Sequence, residues 1–191
     1  MKKILAMLAI VLFVGNVMAQ EEELSFERKQ AIDSLALEKV RDLSKYIKIV
    51  GSKETAWSEA NRVIDRAEEL FMSNAEIGVS SVVSNNIKYY KVRPYLEHLM
   101  RLNYDRVEIE WYNIEYVSDL QRQPDGTYVG VITIFQTFRG YDQEGNMVYK
   151  DTTKKDITVY VKRKETQIGG RTIGFWDVLL GDMRVKETSN R

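Results

Sequence analysis

Arg106–Gln121, RVEIEWYNIEYVSDLQ, is sixteen residues of almost unbroken strand chemistry. At roughly 3.3 Å per residue it would span about 50 Å, whereas most strands stop after about 5–6 residues. Its alternation changes phase part-way. Val107, Ile109 and Trp111 share one face, and Tyr112, Ile114 and Tyr116 then share one that is out of step. An extra residue near Trp111–Asn113, a β-bulge, absorbs that slip and bends the strand. A strand this long and bent belongs to a strongly curved antiparallel sheet, with the preceding segments covering its inner face.

Downstream, Gln123-Pro124-Asp125-Gly126 reads as a turn, because Pro presets φ and Gly accepts positive φ. Thr127–Phe138 is the next long strand. It is apolar on both faces, which places it mid-sheet with both sides covered or with one side packed in an oligomer. Met147–Lys164 follows the turn Asp142–Asn146 and is strongest at Ile157, Val159 and Val161. Gly169-Gly170 reverses the chain into Thr172–Glu187. Lys154-Lys155 and Lys162-Arg163-Lys164 read as short solvated basic patches that discourage edge pairing.

Upstream, Glu27–Ile47 carries Ile32, Ala36, Val40, Leu43 and Ile47 at helical spacing. Gly51 ends that helix, and Ser52 is the expected N-cap of a second one, Lys53–Met72, with a stripe of Trp57, Ala60, Ile64, Ala67 and Phe71. Ala75–Val83 predicts a short strand, Lys88–Lys91 a connector, and Arg93–Leu102 a short helix with Pro94 in its first turn. The fold class is α+β: N-terminal helices packed on a strongly curved antiparallel sheet.

The first nineteen residues have the pattern of a secretory signal peptide: basic Lys2-Lys3, apolar Ile4–Val14, and Val17-Met18-Ala19 before Gln20. The apolar stretch is shorter than the roughly 20 residues needed to span a bilayer, so a membrane span after cleavage is not expected. The chain then divides into residues 1–19, an N-terminal helical segment 20–51, and one domain over 52–191. The address is periplasmic or extracellular. With no cysteine, neither a lipoprotein anchor nor a disulfide framework is available. Basic and acidic residues balance at 28 each, and loss of Lys2 and Lys3 leaves a net charge of −2. No nucleic-acid footprint follows from that.

The succession of helices, short strand, short helix and four long antiparallel strands resembles the nuclear transport factor 2-like (SnoaL-like, cystatin-like cone) superfamily over roughly Ser52–Glu187. The residues that carry the resemblance are Ala67, Leu70 and Phe71, the segment Tyr95-Leu96-Glu97-His98-Leu99, and Gly174-Phe175-Trp176-Asp177-Val178. It implies a cone-shaped barrel in which the curled sheet wraps helices around a cavity. The superfamily includes isomerases and dehydratases, ligand-binding domains and structural partners, so resemblance alone leaves the activity open.

Asp177 and His98 are the catalytic candidates. Asp177 shares the phase of Ile173, Phe175, Leu179, Met183 and Val185, and a carboxylate in such an apolar row has its pKa raised by desolvation. The alternative phase turns Trp176, Val178 and Leu180 inward and leaves Asp177 in solvent. Trp111, Tyr112, Tyr116, Phe135, Phe175 and Asp177 are the ligand-binding candidates, since aromatic faces with a few polar groups make ligand sites. Strand propensity explains the same aromatics without a ligand. GxSxG, P-loop, HExxH and clustered metal-ligand patterns are absent from the sequence, and neither a cofactor nor a metal is expected. The leading expectation is a non-catalytic envelope domain that binds a small apolar ligand or a protein partner. The alternatives are a structural component that oligomerises through its sheet, and a cofactor-free isomerase or dehydratase using Asp177.

Overall fold

In the computed structural model, which describes residues 24–189 apart from the side chains at positions 84, 85, 116 and 117, the first element is helix α1, Phe26–Gly51. The leader expected over residues 1–19 and the side chain of Tyr116 lie outside the described residues. Ser25 caps α1 by accepting the Arg28 N–H at 3.3 Å. The buried stripe Ile32, Ala36, Val40, Leu43 and Ile47 continues to Val50, so the helix runs on past Ile47. It stops at Gly51, where an added Cβ would come within 3.1 Å of the Ile109 side chain.

Helix α2 begins at Trp57 rather than Lys53 and ends at Glu68. Ser52 closes α1 instead of opening α2. Lys53 is held outside the helix, donating to the carbonyl oxygens of Met100 and Leu102 at 3.2 and 2.5 Å. The buried face is Ala60, Val63, Ile64 and Ala67, while Trp57 is left 62% exposed.

Strands β1 (Glu76–Ser81) and β2 (Ser84–Lys91) form an antiparallel hairpin, with Ile77 opposite Tyr90 and Gly78 opposite Tyr89. Lys88–Lys91 is therefore strand, not connector; Tyr89 and Tyr90 favour a sheet and two residues suffice for the turn. Helix α3, Val92–Met100, follows at once and buries Val92, Tyr95, Leu96 and Leu99.

The four long strands are β3 (Arg106–Arg122), β4 (Tyr128–Tyr141), β5 (Met147–Ile168) and β6 (Arg171–Ser189). They complete a curved, unclosed sheet of order β2-β1-β6-β5-β4-β3, antiparallel except where β1 meets β6 at Ile77 and Met183. The β3 bulge lies just beyond Trp111. Register against β4 slips between Tyr112 and Glu115, where Asn113 takes φ 50°, a left-handed conformation that asparagine tolerates. The architecture is the α+β cone expected from the order of elements.

Inward-facing residues follow from the ladders. Ile132 pairs Ile157, which pairs Met183; Tyr128 pairs Val161, which pairs Val178. These positions and the buried stripes of α1, α2 and α3 form one hydrophobic core. Asp177 is not among them. Trp176, Val178 and Leu180 carry the inward phase, and Asp177 stands on the outer face, ion-paired to Lys164 Nζ at 2.5 Å. The apolar row expected around it fails for a physical reason. Between Leu180 and Met183, β6 spends one residue more than its partner segment Ile157–Val159, so Met183 faces inward although its number shares Asp177's parity. Gly181 sits at that bulge with the Tyr160 ring packed tightly against it.

Beyond Val161 strand β5 has no β4 partner, and residues 163–175 run out as an exposed two-stranded ribbon. Phe175 belongs to this ribbon.

Candidate functional site

Helix α3 lies across the inner face of the sheet without filling it. A cavity of about 220 Å³ remains, lined from α3 by Tyr95, His98 and Leu99, from β4 by Gln136 and Phe138, and from β5 by Tyr149, Asp151, Thr153 and Lys155. An engineered cavity of about 150 Å³ accepts benzene, so this one suits a molecule somewhat larger.

Strand β5 supplies the chemistry. Its register with β4 is continuous from Tyr128–Val161 to Gly140–Tyr149, so the alternation that turns Ile157, Val159 and Val161 inward also turns in Lys155, Thr153, Asp151 and Tyr149. Lys155 is 2% exposed. Its Nζ lies 5.9 Å from the centroid of the Tyr95 ring and makes no hydrogen bond or ion pair among the described residues. Burial pushes the ammonium pKa down to about 8, against the opposing pull of the Asp151 charge. The solvated basic patch expected at Lys154-Lys155 is thus half right: Lys154 is on the outer face, and Lys155 is inside.

Asp151 is 5% exposed. Its carboxyl pKa is raised by desolvation, opposed by the Tyr149 hydrogen bond and by Lys155. The Tyr149 hydroxyl is 2.7 Å from Asp151 Oδ2 and 2.9 Å from Ser81 Oγ. A phenol has one proton to give; Tyr149 gives it to the carboxylate, and the Ser81 hydroxyl donates in return. Asp151 Oδ1 is buried with no hydrogen-bond partner. Tyr95 is buried, and desolvation, with the Asp151 charge second, holds its phenol well above the ordinary value. Among the groups that line the cavity, the Lys155 amine, the Asp151 carboxyl and the phenols of Tyr95 and Tyr149 are each displaced toward the neutral form and able to give or take a proton.

Of the sequence candidates, His98 lines the cavity. It is exposed and stacks on Tyr90 with centroids 6.0 Å apart and planes 9° apart. Asp177 is on the opposite face of the sheet, so no Asp177–His98 pair forms. Trp111 packs against the core and donates its indole N–H to Gln136 Oε1 at 3.1 Å; it stands behind the cavity wall. Tyr112 and Phe135 do meet, stacked with centroids 5.6 Å apart, but on the outer face. Phe175 is on the exposed ribbon. Lys155, Asp151, Tyr149 and Tyr95 were missed, although the phase of Ile157–Val161 extended back along β5 reaches the first three. Among the described residues no group of three or more His, Asp or Glu side chains is placed to hold a metal ion, and no helix is long and apolar enough to cross a membrane.

No protein-family model matches the chain, and no curated protein matches it. Similar solved structures exist. One is a candidate scytalone dehydratase from Novosphingobium aromaticivorans, 11% identical, covering 86% of this chain and 91% of that one with a TM-score of 0.44. Another is a type 2 hexachlorocyclohexane dehydrochlorinase (LinA), 16% identical, covering 83% and 91% with a TM-score of 0.39. At these identities the likeness concerns the fold. The leading expectation of a non-catalytic binding domain is corrected: its premise, a poor catalytic inventory, fails at the buried amine and carboxyl of β5.

Proposed function

We propose that the protein is a cofactor-free lyase or isomerase that removes a proton from carbon in a small, largely apolar substrate held in the cavity. The observation that carries this reading is Lys155, a buried amine without an ion-pair partner among the described residues. Roughly one molecule in ten holds it neutral at pH 7, given a pKa of about 8. In that form its lone pair takes the proton. The electron pair released at carbon either expels a leaving group, which is elimination, or is reprotonated at a neighbouring atom, which is isomerisation. Asp151 and Tyr149 are the groups that can protonate the departing or receiving atom. The leader pattern of residues 1–19 supports an address outside the cytoplasm.

A substrate-independent test is 5-nitrobenzisoxazole, whose isoxazole ring opens to a coloured phenolate when a base takes the proton on C3. Opening with an apparent pKa near 8, abolished in Lys155→Met, is expected. A rate no greater than that of the same concentration of free lysine would sink the proposal.

A further inference from the structure

The same cavity favours one substrate class. We propose that Lys155 is a nucleophile toward aldehydes and ketones and forms a protonated imine with the substrate before any proton leaves carbon. This rests on the proton-abstraction reading of the same site and, for a carbonyl substrate, moves the proton-accepting role from the Lys155 amine to Asp151.

Three features argue for a carbonyl compound rather than an anion. A lysine that binds a carboxylate or phosphate does so as the ammonium, yet Lys155 is 2% exposed beneath the Tyr95 ring, where burial disfavours that charge. The cavity already contains the carboxyl of Asp151, whose Oδ1 has no hydrogen-bond partner and which, when ionised, repels a second negative charge. It contains no second lysine or arginine among the residues that line it. A neutral ketone or aldehyde meets none of these obstacles, and a desolvated lysine is the type of amine that adds to it.

The step balances within the site. The Nζ lone pair attacks the carbonyl carbon, the C–N bond forms, and the C=O π pair moves to oxygen. A proton passes from nitrogen to that oxygen, giving a neutral carbinolamine. A second proton, from Asp151 or from solvent by way of it, makes the hydroxyl a leaving group. The nitrogen lone pair then expels water and leaves C=N–H⁺ with Asp151 as carboxylate. Asp151 is suited to the task because desolvation raises its pKa and Oδ1 has no hydrogen-bond partner. The iminium acidifies the adjacent C–H; the Asp151 carboxylate accepts its proton, and the electron pair left on carbon forms the enamine.

The test is reductive trapping. Protein at pH 7 is treated briefly with equimolar benzaldehyde and sodium cyanoborohydride, then analysed by intact mass and peptide mapping. At that pH a solvated lysine near 10.4 is almost wholly ammonium, so labelling at Lys155 should exceed the average of the other lysines by on the order of tenfold. The adduct should vanish in Lys155→Met with the far-ultraviolet circular dichroism unchanged. In the unaltered protein it should also fall when toluene, which fills the cavity but cannot form an imine, is added first. That comparison decides the question even where the variant fails to fold. Labels spread over surface lysines with Lys155 unmodified would overturn the imine. If Lys155-dependent opening of 5-nitrobenzisoxazole persisted in that case, the base reading would stand without it.

Discussion

Lys155 and Asp151 face the same cavity from one strand, four residues apart, and do not form an ion pair. Their pKa displacements show that desolvation outweighs their mutual attraction. A paired lysine and aspartate would each be driven toward the charged form; here the amine is lowered and the carboxyl raised. Two buried ionisable groups that do not pair with each other cost stability. The fold tolerates the cost because the rest of β5 and its neighbours, Ile157, Val159, Val161, Ile132 and Met183, are completely buried.

That cost is measurable through pH. Folded Lys155 titrates near 8, while an unfolded lysine titrates near 10.4. Between those values the unfolded chain binds more protons, so stability rises with pH through the window and is lowest below pH 8. The difference amounts to about 3 kcal/mol. Lys155→Met removes the titration. Urea unfolding at pH 7 and pH 10.5 should show the wild type gaining about 3 kcal/mol more than the variant. Parallel behaviour of the two proteins would mean that Lys155 is solvated.

Strand β3 illustrates what pattern alone conveys. The phase change at Trp111–Tyr112 announces a bulge and a curved sheet, because alternation is a purely local consequence of the pleat. The same rule misled at Asp177, since one extra residue near Gly181 carries no hydrophobic signature and reverses the phase from Met183 to Val185. It was also under-used on β5. Lys155 beside Lys154 reads as a charged surface pair, although period two assigns them to opposite faces. The cavity itself was not legible. It depends on where α3 stops filling the cone, a tertiary fact that no local pattern carries.

Asp177 and Asp151 can be told apart in a single experiment. Asp177 meets Lys164 on the outer face with both side chains partly solvated, 21% and 51% exposed, a pair worth at most about 1 kcal/mol. Asp177→Asn should leave the pH–rate profile of 5-nitrobenzisoxazole opening unchanged. Asp151→Asn deletes the negative charge that raises the Lys155 pKa, so its midpoint should move to lower pH. A profile displaced by Asp177→Asn, and not by Asp151→Asn, would return the site to the outer face.

Trp111 and Gln136 make the cavity wall rigid from behind. Gln136 is 8% exposed and accepts the Trp111 indole N–H across the β3–β4 ladder at 3.1 Å. Gln136→Leu keeps the volume but leaves that N–H without its acceptor, which costs about 1–3 kcal/mol. Trp111→Phe in the same background removes the stranded donor and should restore part of the loss. A double-mutant cycle by urea unfolding therefore yields a coupling of about 1 kcal/mol. A coupling near zero would mean that water replaces the glutamine, and hence that solvent reaches the cavity wall from the side of β3.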